Sequence, residues 1–314
     1  MQQIESICLP VRAALHPTGL YLELREIGPE QLHDPFMQET IQRVPARQTV
    51  VQILKEDLGR ASPNSAPAGL IFHVGRCGST LASQLLKHHE QVVVYSEPLP
   101  VNDILVPPRK WDRAELVGAL RSLGDILAQH AKKPYVLKLT SWNTLYCDIV
   151  TDAFPSTPWA LCIRDPLEVC VSLLQQRPGW LRDAGSRSHL FASIVDPEQT
   201  CRTPEDYLAR LFAAYCRAIG SLDSKRGKVI PYNTLPEAVW NTLAPHFGLS
   251  IGDQAKSLMS AASRAYSKSR VGNGVVFVPD GTKKRAAASP ELRLAVDTYA
   301  LPALERLVTR FGQR

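Results

Sequence analysis

Residues 66–314 predict an α/β fold. The expected form is a three-layer arrangement: a parallel sheet with a P-loop-type phosphate loop, helices on both faces, and a small N-terminal extension ahead of it. Three observations predict this. Short apolar runs alternate with helical stretches, the pattern of strands buried on both faces by crossover helices. A stretch rich in Pro, Ser, Gly and Ala, residues 59–69, separates the opening residues from the rest. One junction, HVGRCGSTL at 73–81, joins a strand to a helix through two glycines and adjacent hydroxyls.

The elements follow in order. GLYLELREI (19–27) alternates like a strand, and PEQLHDPFMQETIQRV and TVVQILKEDL after it read as helix-like. The linker then places a boundary, with a subdomain at 1–65 and the main domain at 66–314. LIFHV (70–74) is a short buried strand, and 80–88 a helix with Leu81, Leu85 and Leu86 on one side. QVVVYS (91–96), YVLKL (135–139) and WALCI (159–163) are further strands, with helices at 113–130 and 167–176. Residues 177–204 are polar and irregular, long enough for a lid or substrate loop, with Trp180 and Phe191 among them. Helices are expected at 205–222 and 289–312, and the Gly-, Lys- and Arg-rich stretch 267–289 as a loop.

Composition narrows the function. The chain is 45% hydrophobic and 21% charged, ordinary for a globular protein. A net charge of +6 suits an anionic ligand, but no dense Lys/Arg stripe points to nucleic acid. Seven scattered cysteines without a CxxC pair read as a reduced, cytoplasmic protein. No stretch approaches the ~20 apolar residues of a membrane span, and no signal peptide is visible, so no membrane partner is expected. No HExxH, HxxxH or carboxylate cluster suggests a metal.

The junction at 73–81 is the sharpest local signal. Gly75 and Gly78 let the backbone approach a phosphate closely, at the positive end of the following helix. Ser79 and Thr80 either cap that helix or donate to phosphate oxygens. An ordinary strand–turn–helix corner suits the same text. A Walker A loop does not, because Gly78 is followed by Ser79 with no Lys; the cation is Arg76, one residue before Cys77. A second constellation lies in IRDPLEVCVS. Arg164 ends a strand, where α/β sheets bind ligands, and Ser172 follows eight residues later on a helix opened by Asp165-Pro166. An Arg with a helix hydroxyl suits a terminal phosphate; an Arg164 paired with Asp165 or Glu168, and a buried Ser172, is the alternative.

Together the two segments resemble the sulfotransferases that use 3′-phosphoadenosine 5′-phosphosulfate (PAPS), within the P-loop sulfotransferase superfamily, and in particular its bacterial and tyrosylprotein branch. HVGRCGST is similar to their phosphosulfate loop, R-S-G-T-T or R-S-G-S-T, with Cys77 for the commoner Ser. IRDPLEVCVS resembles their 3′-phosphate motif, in the same order and about ninety residues on. The resemblance covers about 66–240 well and the last 75 residues weakly. It implies a metal-independent, in-line transfer of a sulfuryl group from PAPS to a hydroxyl or amine acceptor, a small molecule or a peptide, leaving PAP. A P-loop kinase, or a non-catalytic PAP- or nucleotide-binding protein on the same fold, is the alternative.

The resemblance also implies roles. Gly75, Arg76, Cys77, Gly78, Ser79 and Thr80 would cradle the phosphosulfate, and Arg164 and Ser172 the 3′-phosphate. Tyr232, in VIPYNTL, would lie near the nucleotide, and Lys268, Arg270 and Lys283 would cover the 3′-phosphate. The base of the cytosolic small-molecule enzymes is a His where this chain has Thr140. Glu97, at a strand's carboxyl end, is therefore the expected base, next to Arg76 and Lys138. Lys138, a charge on an apolar strand, would meet the bridging oxygen of the leaving group. His73 is expected to be packed, and His88 and His89 to be exposed.

Overall fold

The computed structural model describes residues 8–60, 62, 65–106, 111–182, 194–198, 200–263 and 280–312. Two sheets organise them. The main sheet has five parallel strands: β4 (Gly69–His73), β5 (Val93–Ser96), β6 (Tyr135–Lys138), β7 (Trp159–Ile163) and β8 (Gly227–Pro231). Their spatial order is β5-β6-β4-β7-β8. β4 to β7 are buried along their length, as expected of strands covered by helices on both faces. The chain runs outward from β4 to β5, returns to β6, and then crosses to the other side of β4 to lay down β7. The direction of winding reverses there, which opens a crevice at the carboxyl ends of β4, β6 and β7.

The covering helices include α2 (Ser79–Leu86), α3 (Leu99–Leu105), α4 (Arg113–Ala131), α5 (Cys147–Ala153) and α6 (Pro166–Gln175). Asp112 caps α4 in a capping box with Glu115, and Asp165 caps α6 by accepting from the Glu168 amide. A longer helix, Pro204–Gly220, and the carboxyl-terminal Leu301–Gly312 close the molecule.

The N-terminal residues form an antiparallel sheet of β1 (Leu9–His16), β2 (Gly19–Arg25) and β3 (Gln48–Leu54). A short helix, α1 (Met37–Arg43), lies between β2 and β3. TVVQILKEDL is therefore mostly strand, not helix. Its β-branched Thr49, Val50, Val51 and Ile53 favour the extended chain, and pairing with β2 from Leu20↔Ile53 to Arg25↔Gln48 satisfies its backbone. Leu20, Leu22 and Leu24 of β2 are fully buried. β1 packs on α3 and α4, where Arg12 makes a two-pronged contact with Asp103.

One further expectation is corrected, and one is borne out with a π-helical turn in its middle. The stretch 267–289 holds a helix, Gly281–Ala286, packed on α6. The helix expected over 289–312 is Pro290–Ala295 and Leu301–Gly312 joined by a π-helical turn, Val296–Ala300. No helix among the described residues is long and apolar enough to cross a membrane.

Candidate active site

The loop between β4 and α2 is built from left-handed residues. Gly75 has φ +79°, Arg76 +53° and Gly78 +83°. The space around Gly78 also requires glycine: a Cβ there would sit 2.7 Å from Leu235 Cδ1 and 2.9 Å from the Tyr232 ring. The loop thus meets the segment after β8 at van der Waals contact. Ser79 and Thr80 are buried in the first turn of α2. Concave backbone at a helix amino end favours an anion. Cys77 is buried too, and burial pushes its thiol up, so it is no nucleophile.

At the neighbouring strand ends Glu97 and Lys138 meet. Lys138 is 0% exposed, on a strand second from the sheet edge, and its Nζ donates to Glu97 Oε1. The Phe36 ring, from the N-terminal part of the chain, covers the ammonium at 5.1 Å from the ring centre. Glu97 itself has φ +54°. Among the described residues only Arg76, Glu97 and Lys132 combine a side chain with positive φ, and Lys132 merely ends α4. Two such backbones, one after β4 and one after β5 at the carboxyl edge of the sheet, mark the site.

His73 joins this cluster. Gly75 N–H donates to its Nδ1 (3.1 Å), which leaves the proton on Nε2, 2.9 Å from the Leu139 carbonyl and 3.6 Å from Glu97 Oε1. Burial and the nearby Lys138 push its pKa down, so the imidazole is neutral. Burial alone would raise Glu97; Lys138 and His73 outweigh it and hold the carboxyl at about 2.

Arg164 leaves the end of β7 into a cavity of about 540 Å³, lined among others by Glu168, Tyr232, Asp280 and Arg285. Its Nε donates to Glu168 Oε2 (2.7 Å) and its Nη2 to Asp280 Oδ1 (2.9 Å), while its guanidinium stacks on Tyr232 at 4.1 Å. Lys284 pairs with Asp280 (2.7 Å) and Arg285 with Glu168 (2.7 Å). Tyr232 touches both Gly78 and Arg164, so the loop and this cavity are neighbours.

The fold therefore brings Gly75–Thr80, Glu97, Lys138, Arg164 and Tyr232 to one edge. Arg76 points elsewhere: its guanidinium donates to the side chain and carbonyl of Gln176, just past α6, and makes no ion pair with Glu97. Ser172 is buried on α6 and is not among the residues lining the cavity. Lys283 lies on the helix Gly281–Ala286; Lys268, Arg270 and Phe191 lie outside the described residues. His89, expected at an exposed helix end, is buried and meets the Ser250 carbonyl at 2.9 Å. Sequence reasoning missed Phe36 and Asp280 as site residues. The pairing of Arg164 with Glu168 and the burial of Ser172 are the alternative that the sequence left open, and His73 is packed as expected, although it also lies against Glu97.

The residues present fit a nucleotide carrying two phosphate groups. The loop supplies the backbone, Lys138 and Arg164 supply charge, and Tyr232 supplies an aromatic face between them. Two buried hydroxyls at the same strand ends, Ser96 Oγ and Thr140 Oγ1, have no hydrogen-bond partner among the described residues. No group of His, Cys, Asp and Glu among the described residues has the arrangement of a metal site.

No family model matches the chain, and no curated protein matches it. Solved structures do. The sulfotransferase domain of the Synechococcus PCC 7002 olefin synthase matches at TM-score 0.50 and 16% identity, over 81% of this chain and 96% of that one. A sulfotransferase from Alicyclobacillus acidocaldarius matches at 16% identity and TM-score 0.46, over 79% and 96% of the two chains. Mouse sulfotransferase SULT7A1, solved with PAP, matches at 10% identity and TM-score 0.44, over 82% and 88%. The first of these likenesses shows that the chain has the sulfotransferase fold.

Proposed function

We propose that this protein is a PAPS-dependent sulfotransferase acting on a small-molecule or peptide acceptor that bears a hydroxyl or an amine. The observation that carries the reading is the pair of Glu97 and the wholly buried Lys138, at the strand ends beside a glycine loop and an arginine cavity. A fold alone does not fix a function; a buried ammonium on a strand-end carboxylate, next to two anion-binding surfaces, is a site.

PAPS, when bound, supplies the sulfuryl group and a phosphate leaving group. The residues of this chain do the rest. The 75–80 loop holds the phosphosulfate against the amino end of α2. Arg164, stacked on Tyr232, takes the 3′-phosphate, and Arg285 and Lys284 on the adjacent helix add positive charge there. Lys138 neutralises charge on the departing phosphate, where one preorganised donor typically contributes about 10²–10³ in rate. Glu97 accepts the acceptor's proton. Its strained backbone fixes the carboxylate, and neutral His73 contacts it without adding charge. The cysteines, all buried but Cys201, suit a reducing, cytoplasmic location.

The test is direct. PAP release from PAPS is followed chromatographically with a panel of phenols, alcohols, amines and tyrosine peptides, in excess EDTA. Turnover with at least one acceptor in EDTA is expected. Turnover of ATP that requires Mg²⁺ would make the protein a kinase instead, and PAP binding without turnover of any acceptor would make it a nucleotide-binding protein.

A further inference from the structure

The geometry points to Lys138 as an ammonium with two partners in turn: Glu97, which it holds here, and the phosphosulfate of a bound donor, to which it transfers, so that donor binding frees the base. The inference rests on the donor reading above. Four observations carry it.

First, Lys138 is entirely buried, and its partners among the described residues are the Glu97 carboxylate and the Phe36 ring. Neither Glu97 nor the ring fixes all three N–H directions, so the ammonium has capacity for a second acceptor. Second, Lys138 ends β6, which runs between β5, whose next residue is Glu97, and β4, which leads into the loop that would hold the donor. The lysine thus stands between the base and that loop.

Third, the two partners differ in freedom. Glu97 leaves a left-handed backbone pinned by its own N–H to the Lys138 carbonyl (2.6 Å), whereas the lysine has four rotatable side-chain bonds. If the pair opens, the lysine moves. Fourth, the chemistry requires opening. A carboxylate held at about 2 is a poor base, because proton-transfer efficiency follows basicity. Withdrawing Lys138 restores basicity only when the donor is in place, which also keeps the base from acting without a donor.

Shared use of one ammonium is a coupling between two sites, and coupling is reciprocal. Neutralising Glu97 must release Lys138 and tighten nucleotide binding. Calorimetric titration with PAP of the wild type, Glu97→Gln, Lys138→Met and the double variant tests this. Glu97→Gln should bind PAP about tenfold tighter than the wild type, with the gain gone in the Lys138→Met background. An unchanged or weaker affinity in Glu97→Gln overturns the inference. So does an equal gain in both backgrounds, which would mean simple repulsion between Glu97 and the nucleotide. If Lys138→Met does not fold, Lys138→Gln takes its place in the same cycle, and the same two outcomes overturn the inference. Absence of any PAP binding by the wild type overturns the donor reading itself, and this inference with it.

Discussion

Glu97 and Asp280 play opposite parts as carboxylates in one site. Glu97 is a quarter exposed (24%) in the crevice and is the base of the proposed reaction. Glu97→Gln keeps its shape but cannot accept that proton, so turnover with an alkyl alcohol should fall by about 10²–10⁴ while the protein stays folded. A phenol of low pKa should lose less; equal losses for both acceptors would remove Glu97 from the role of base. Asp280 occupies one arm of the Arg164 fork, with its side chain 45% exposed, where Glu168, on the other arm, is 6% exposed. Of the two, Asp280 is the one a 3′-phosphate can displace. Asp280→Asn should therefore tighten PAP by about three- to tenfold and leave AMP unchanged, since one charge-assisted contact is worth ~1.5–3 kcal/mol before competition is counted. A loss of PAP affinity, read by calorimetry, would make Asp280 part of the binding surface instead.

At the scale of elements, α2 links the site to the N-terminal sheet. Its last residues hold the 34–36 segment: Gln84 Nε2 and Lys87 Nζ both donate to the Asp34 carbonyl (3.2 and 2.5 Å), and two residues on Phe36 reaches Lys138. Burial pushes Lys87 down to about 7, against the pull of Asp34. The sign follows from proton counts. Between about 7 and the unfolded value of 10.5 the unfolded chain holds more protons at this site, so stability rises as pH rises through that window, and the cost is fully present below 7. Chemical denaturation at pH 7 and pH 9 should show the wild type gaining stability, and Lys87→Met should lose that pH dependence. A wild type equally stable at both values, or a Met variant with the same slope, would contradict this. The elements were unevenly legible in sequence. Buried strands such as WALCI, bounded by turn residues, can be read directly because their apolar run matches their burial. β3 could not: its residues are mostly exposed and are held extended by pairing with β2, a partner some thirty residues away in the chain. The helix Gly281–Ala286 was hidden in a Gly- and Lys-rich stretch whose helicity comes from packing on α6.

Over the whole molecule, the parts of the site that lay within one motif were visible in the sequence, and the parts assembled from distant segments were not. The glycine loop, Arg164 and the strand-end Glu97 stand beside local signals. Phe36 over Lys138, Asp280 on Arg164 and His73 between loop and base depend on which chain segments the sheet order brings to one edge. From that convergence we infer two separate phosphate sites joined by Tyr232, and isothermal titration of the wild-type protein with PAP and with AMP tests for them. The two ligands differ only in the 3′-phosphate that Arg164 would hold. PAP should bind roughly tenfold to a hundredfold tighter than AMP, the worth of one charge-assisted contact. Equal affinities for the two would contradict the assignment of the Arg164 cavity, and with it the reading of this protein as a PAPS-dependent enzyme.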